Sequence, residues 1–352
     1  MKIRVALATF SVLLFTGGSA WAATFSSLYT FGDSLSDIGD SPSAATSIYK
    51  LLGGNCDPSH PCGPYFHGRL SNGPVATEYL AGSLFPGGVN NTNFRSYSVG
   101  GATSGVGNIG DGGSATKEGG FDVLGVGLKP LPGMQRELER YLGDSGGVAD
   151  PNALYVVWGG GGDYLTHNSP VAAAQNIGSY VGTLAAAGAR NFLVPNSGDL
   201  GHTPEARTHD DVTQAHAYSI VFNNELATQL GDVHSAFPAA DIHQFDTYSF
   251  LNNIIQDPAA FGFTNVTNAC VSLLILSCDN PETHLYWDSV HPTTLAHSLL
   301  GAAFATTVTS AVPEPEIFSM LVAGLFLLGI GGYRRSGRVE PASGVFHRES
   351  AA

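Results

Sequence analysis

Apolar and polar positions along the chain follow two rhythms. Short, largely apolar runs at residues 27–31, 153–158 and 190–195 read as strands, the second continuous enough to be buried on both faces of a parallel sheet. Residues 93–99 alternate roughly, and 241–245 supply a fifth strand. Between them lie stretches with helical spacing. These are 74–81, 132–142 (with Met134, Leu138, Tyr141 and Leu142 near one face), the alanine-rich 171–187, 208–233 and 293–308. In 208–233 the expected core positions are Ala215, Ile220, Phe222, Leu226 and Leu230. Asn72 is a candidate cap for the first of these helices, with Pro74 in its opening turn. Residues 100–120 carry nine glycines and must be loop. Strand and helix in alternation predict an α/β fold, with a parallel sheet covered on both faces and polar loops at the strand ends. In such folds the functional site lies at the carboxyl ends of the strands.

Composition narrows the class. The chain has 352 residues, 43% apolar and 12% charged, which excludes a disordered chain. A net charge of −14 disfavours phosphate backbones, so no nucleic-acid partner is expected. The abundance of glycine (45 residues) points to long surface loops. Four cysteines form two close pairs, Cys56/Cys62 and Cys270/Cys278. Three pairings are open, and local disulfides are the simplest in an exported protein. Ligand spacing for zinc is missing, and no metal is expected.

Both ends read as targeting segments. Lys2 and Arg4 precede an apolar run at 5–15 and then Ala20-Trp21-Ala22, a small-x-small cleavage pattern. Residues 1–22 are therefore expected to be a signal peptide removed by signal peptidase; the run is too short to span a bilayer. Near the other end, Val312-Pro313-Glu314-Pro315 leads into an apolar stretch at 317–330, followed by Tyr333-Arg334-Arg335 and Arg338. Pro-Glu-Pro, apolar helix and basic cluster resemble the PEP-CTERM sorting signal of Gram-negative bacteria. That resemblance implies transient membrane anchoring by residues 312–338, processing by an exosortase-like enzyme, and a periplasmic, surface or secreted destination. A tail at 339–352 departs from the pattern. One domain, 23–311, is expected between the two signals.

Two short motifs carry the chemistry. Gly32-Asp33-Ser34-Leu35-Ser36-Asp37 places a serine directly after the first strand, where a helix starting just beyond would aim N–H groups at a reacting carbonyl. The same residues also suit a turn or cap. It is not the Gly-x-Ser-x-Gly elbow, because Ser36 stands at the second glycine. Tyr286-Trp287-Asp288-Ser289-Val290-His291-Pro292-Thr293 offers a histidine base with a carboxylate three residues earlier, close enough to meet it on one turn.

Together these motifs resemble the GDSL (SGNH) hydrolase family over about residues 26–308. Gly68-Arg69-Leu70-Ser71-Asn72-Gly73 resembles a further family segment, Tyr97-Ser98-Val99-Gly100-Gly101-Ala102-Thr103 its second block, and Trp158-Gly159-Gly160-Gly161-Gly162-Asp163 its third. The resemblance implies a flavodoxin-like three-layer α/β/α sandwich on a parallel sheet of about five strands. It also implies ester hydrolysis through an acyl-serine, without cofactor or metal. Ser34 is then the nucleophile, His291 the base and Asp288 its orienter, with the amides of Ser34 and Gly101 in the oxyanion hole. The substrate is a small-molecule, lipid or polysaccharide ester. The third block departs from the family, which places an asparagine donor where this chain has Gly162. The alternative is a weakened or inactive member that binds matrix or carbohydrate.

Other signals are weaker. Gly105-Val106-Gly107-Asn108-Ile109-Gly110 fits a dinucleotide fingerprint but lies in a glycine-rich loop. His202, His209 and His216 repeat every seventh residue and read as solvated positions. Losing one oxyanion donor costs roughly 10²–10³ in turnover where it has been measured. On sequence alone, Gly162→Asn should therefore raise turnover on a short p-nitrophenyl ester.

Overall fold

The computed structural model describes residues 25–40, 64–120, 122–123, 126–127, 129–272, 275–276 and 278–310. The expected signal peptide, Cys56 and Cys62, the Pro-Glu-Pro segment and the tail lie outside these residues.

Five strands form the central sheet: β1 (Leu28–Gly32), β2 (Phe94–Ser96), β3 (Leu154–Trp158), β4 (Asn191–Pro195) and β5 (Asp241–Phe245). All pair in parallel, in the order β2-β1-β3-β4-β5. This is the flavodoxin-like order, whose switch point falls between β1 and β3. The flanking helices are α1 (Ala76–Leu84), α2 (Met134–Asp144), α3 (Gly161–Leu165), α4 (Pro170–Ala187), α5 (Val212–Ala236), α6 (Thr247–Gln256) and α7 (Thr294–Thr309).

The strands alternate side chains between two cores, as the pleat requires. Phe31, Tyr155, Val157, Phe192 and Val194 pack with α2, α4 and α5 on one face. Leu28, Leu154, Val156, Trp158 and Leu193 pack with α1 and α7 on the other. Every residue of β3 is buried, in keeping with its uninterrupted apolar run. Each such Leu or Val contributes about 1.5–3 kcal/mol relative to exposure. The result is the three-layer α/β/α sandwich.

Three local expectations need correction. Asn72 does not cap α1: Val75 holds the cap position, and the Glu78 carboxylate reaches back to its N–H at 2.9 Å. Asn72 instead accepts the Thr294 N–H at 2.8 Å, at the start of α7. Ile220 is 41% exposed. The buried face of α5 runs through Ala215, Tyr218, Phe222, Leu226 and Leu230, steps of three and four with Ser219 beside them, which leaves position 220 to solvent. Finally, the pattern above assigns no element to 247–256, where α6 forms; Asp246 caps it by accepting the Ser249 N–H at 3.1 Å.

At the switch point the two central strands stay paired to their last residues, Gly32 opposite Trp158. A Cβ on Gly32 would stand 2.0 Å from the Trp158 carbonyl oxygen, so the pairing requires glycine. Gly32→Ala is expected to lower stability by at least about 1–3 kcal/mol, as overpacking against rigid neighbours does. A urea midpoint equal to that of the parent would contradict the close approach.

Candidate active site

Ser34 sits in the turn that leaves β1. The Asp33 carbonyl accepts the N–H groups of Ser36 and Asp37, both at 3.1 Å, and Asp33 Oδ1 accepts that of Leu35 at 3.1 Å. Among the described residues that follow, to Asp40, the chain makes this single turn and no helix, and the turn itself orients the amides.

Asp288 and His291 belong to the loop between the strand His284–Tyr286 and α7. The Trp287 N–H to His291 carbonyl bond (2.7 Å) and the Thr293 N–H to Leu285 carbonyl bond (2.9 Å) close this loop. Asp288 Oδ1 accepts the N–H groups of Val290 (3.0 Å) and His291 (2.8 Å), so the backbone of its own turn fixes the carboxylate. The Tyr65 hydroxyl donates to Oδ2 at 2.8 Å. His291 Nδ1 lies 2.7 Å from Asp288 Oδ2, and Nε2 lies 2.7 Å from Ser34 Oγ across 257 residues of chain. With Nδ1 donating to the carboxylate, Nε2 is left to accept the serine proton.

Neighbouring segments brace the loop. Ser71 Oγ donates to the Pro292 carbonyl at 3.0 Å, and Arg69 pairs with Glu78 at 2.6 Å. Cys270 and Cys278 form a disulfide (S–S 2.09 Å), and the N–H groups of Cys270 and Val271 bond the Trp287 carbonyl at 3.0 and 2.7 Å.

The electrostatics favour an ionised Asp288 beside a basic His291. Burial works against charge on Asp288, but His291 and the turn amides hold its pKa below the ordinary carboxylate value. Burial likewise opposes the imidazolium, yet Asp288 and then Asp33 raise the His291 pKa above its usual 6.5. Asp33 itself is pushed up to about 6 by burial, against the Leu35 N–H and the His291 charge. Asp163 is likewise raised to about 6 by burial, although Ser104 donates to it through both its N–H (2.7 Å) and its hydroxyl (2.9 Å).

Ser34, Gly101, Gly162 and His291 line one cavity of about 380 Å³, with Leu35, Leu70, Ile109, Leu165, Leu200 and Val290 as its apolar walls. Among the described residues, the N–H groups of Ser34 and Gly101 meet no acceptor. The preceding amide is taken: Gly100 N–H donates to Asp37 Oδ2 at 2.6 Å. Gly101 has φ +80°, and a Cβ there would stand 2.6 Å from Asn108 Oδ1, so glycine is required. Asn108 holds the loop by donating to the Gly100 carbonyl at 3.0 Å.

Gly162 overturns an expectation. A Cβ at this position would lie 2.5 Å from the Ala102 carbonyl oxygen and 3.1 Å from its carbon. Backbone of the glycine-rich loop fills the space that a side chain at 162 would need, so an asparagine cannot simply be put back. Elsewhere in that loop, the glycines of the dinucleotide-like stretch serve close packing: a Cβ on Gly105 would lie 1.8 Å from the Ala115 carbonyl oxygen.

Of the spaced histidines, His209 and His216 are exposed, in line with solvated positions; His216 Nδ1 also bonds the buried Asp199 at 2.9 Å, His209 pairs with Glu205 at 3.2 Å, and the half-buried His202 has its Nε2 3.6 Å from the same Asp199 oxygen. Among the described residues, the metal-ligand types that cluster closely are Cys270, Cys278 and His284, and the disulfide occupies both sulfurs. Sequence reasoning missed Tyr65, Asp37 and Asn108 as supports of the site. Asp37 lies within the serine motif, whereas Tyr65 has no periodic signal.

Residues 28–304 match the model of the GDSL-like lipase/acylhydrolase family. The phosphatidylcholine-sterol acyltransferase of Aeromonas hydrophila is 26% identical, with 81% of this chain and 91% of that protein covered. Acetylajmalan esterase 2 of Rauvolfia serpentina is 25% identical, over 78% and 87%. Among solved structures, Est24, a carbohydrate acetylesterase from Sinorhizobium meliloti, aligns at 16% identity and TM-score 0.40, over 81% of this chain and 98% of that one.

Because of the Ala102 carbonyl, Gly162→Asn is now expected to lower both thermal stability and turnover on p-nitrophenyl acetate. A folded variant that turns over faster than the parent would show that the loop yields and the donor is accepted.

Proposed function

The chain belongs to the GDSL-like lipase/acylhydrolase family and is a carboxylic ester hydrolase, and from that premise we propose that it works through an acyl-enzyme on Ser34. The observation that carries this reading is the Ser34 Oγ to His291 Nε2 contact of 2.7 Å, with Asp288 behind the ring.

Ser34 Oγ attacks the ester carbonyl while His291 Nε2 takes its proton. Asp288 holds the ring in the tautomer that leaves Nε2 free and stabilises the imidazolium. The N–H groups of Ser34 and Gly101 receive the oxyanion. His291 then gives the proton to the leaving alcohol, and water repeats the sequence on the acyl-serine. The aliphatic walls of the cavity suit the acyl portion of the substrate. The names of the two relatives, an acyltransferase and an esterase, accord with chemistry on an acyl ester.

The two terminal segments of the sequence support a destination outside the inner membrane of a Gram-negative cell, reached after signal peptidase and exosortase-like processing. Among the described residues, no helix is long and apolar enough to cross a membrane.

The lack of a side-chain donor at Gly162 motivates a second reading, a binding protein on the same fold with little catalysis. Labelling by a fluorophosphonate separates the two. Labelling that disappears in Ser34→Ala, with turnover down by at least about 10⁴-fold, supports the enzyme; an unlabelled but folded parent protein supports binding alone.

The pH profile supplies a further check. A raised His291 pKa means that the base is protonated, and idle, until pH passes above 6.5, so the acid limb of kcat/KM should lie above that value. Asp288→Ala removes the main charge that raises it. Its limb should move to lower pH while turnover falls about 10⁴-fold; an unmoved limb would mean that the titrating group is not His291.

A further inference from the structure

We propose that Glu137 is a positioning residue that sets the oxyanion geometry by tying the turn of Ser34 to the loop of Gly101. The proposal rests on the reading of Ser34 and Gly101 as oxyanion donors.

Glu137 stands near the start of α2 and is 2% exposed. Its Oε2 accepts the Gly32 N–H at 2.8 Å, and its Oε1 accepts the Val99 N–H at 3.1 Å. Val99 N–H is shared with the Gly32 carbonyl at 3.2 Å, so three groups form one knot. Gly32 lies two residues before Ser34, and Val99 two residues before Gly101. One carboxyl therefore sets the distance between the two segments that present the free amides.

The adjoining amides are also occupied. Leu35 N–H goes to Asp33, Gly100 N–H to Asp37 and Ala102 N–H to the Val99 carbonyl. The N–H groups of Ser34 and Gly101 are left without an acceptor among the described residues, and both residues line the cavity. Two donors converge on one oxygen only if their backbones keep a fixed separation, and a misplacement of about 1 Å costs on the order of 10²-fold in rate.

Packing alone does not call for an acid here. Met134, Leu138 and Tyr141 share the buried face of α2, and a leucine at 137 would continue it. Instead the chain keeps a carboxyl whose pKa burial drives well above the glutamate range, with the Gly32 N–H opposing and Asp33 adding to the rise. No basic side chain pairs with it among the described residues. Its partners are backbone amides, and both lie in the segments that form the hole.

The test compares the parent with Glu137→Gln and Glu137→Leu on p-nitrophenyl acetate. Rates are normalised to sites titrated to completion with a fluorophosphonate, and folding is followed by circular dichroism. Affinity for phenylboronic acid, which forms a tetrahedral adduct on an active serine, reports on the hole directly. Gln keeps one acceptor and should lower kcat several-fold. Leu should lower it by about 10²-fold, with boronate affinity falling in parallel and KM unchanged. If Leu does not fold, Gln decides alone. Parent-like kcat and boronate affinity per titrated site, whatever the melting temperature, overturns the proposal and leaves the esterase reading intact. A parent protein inert to both ester and fluorophosphonate overturns the esterase reading and this one with it.

Discussion

The close approach of β1 to β3 governs the site. Parallel pairing normally frays where strands diverge into their loops, yet here it holds to Gly32 and Trp158 because nothing projects from position 32. The turn of Ser34 thus leaves the sheet directly beside the start of α3, and Gly161 and Gly162 border the same cavity as the serine. The His291 loop arrives from the other end of the chain and needs a rigid target. Its own closure, through Trp287, Thr293 and the Asp288 turn, makes it rigid as well. Two independently stiff pieces can meet at hydrogen-bond distance without an additional ordering cost at the moment of reaction.

Beneath this contact lies a floor of buried acids: Asp33, Asp37, Asp163 and Glu137. Burying carboxylates is costly unless donors satisfy them. The donors here are backbone amides and the Ser104 hydroxyl. That choice has two effects. It locks loop backbone that carries no regular structure of its own, and it leaves enough negative potential for Asp33 to reinforce Asp288 in raising the basicity of His291.

Much of this was legible in the residues. The continuous apolar run of β3 and the period of α5 revealed the architecture, because burial on both faces and on one face write different patterns. The Ser34 turn and the Asp288–His291 loop could be singled out because their two motifs together resemble those of a known family; each alone suits a turn or cap equally well. What escaped was long-range. Asn72 looked like a local cap, yet its partner is Thr294, and no local rule could favour that amide. α6 was not assigned although Phe250, Leu251, Ile254 and Ile255 recur at helical spacing; its capping Asp246 is equally at home in a turn. The crowding at Gly162 depends on where a loop some sixty residues earlier folds back, information that spacing does not contain.

The Ala102 carbonyl pressed against Gly162 bears on how the sequence can change. An amide side chain at 162 and the present path of the 100–108 loop exclude each other, so the side chain can enter only once the loop has moved. A laboratory search for faster variants would therefore have to vary both segments in the same library.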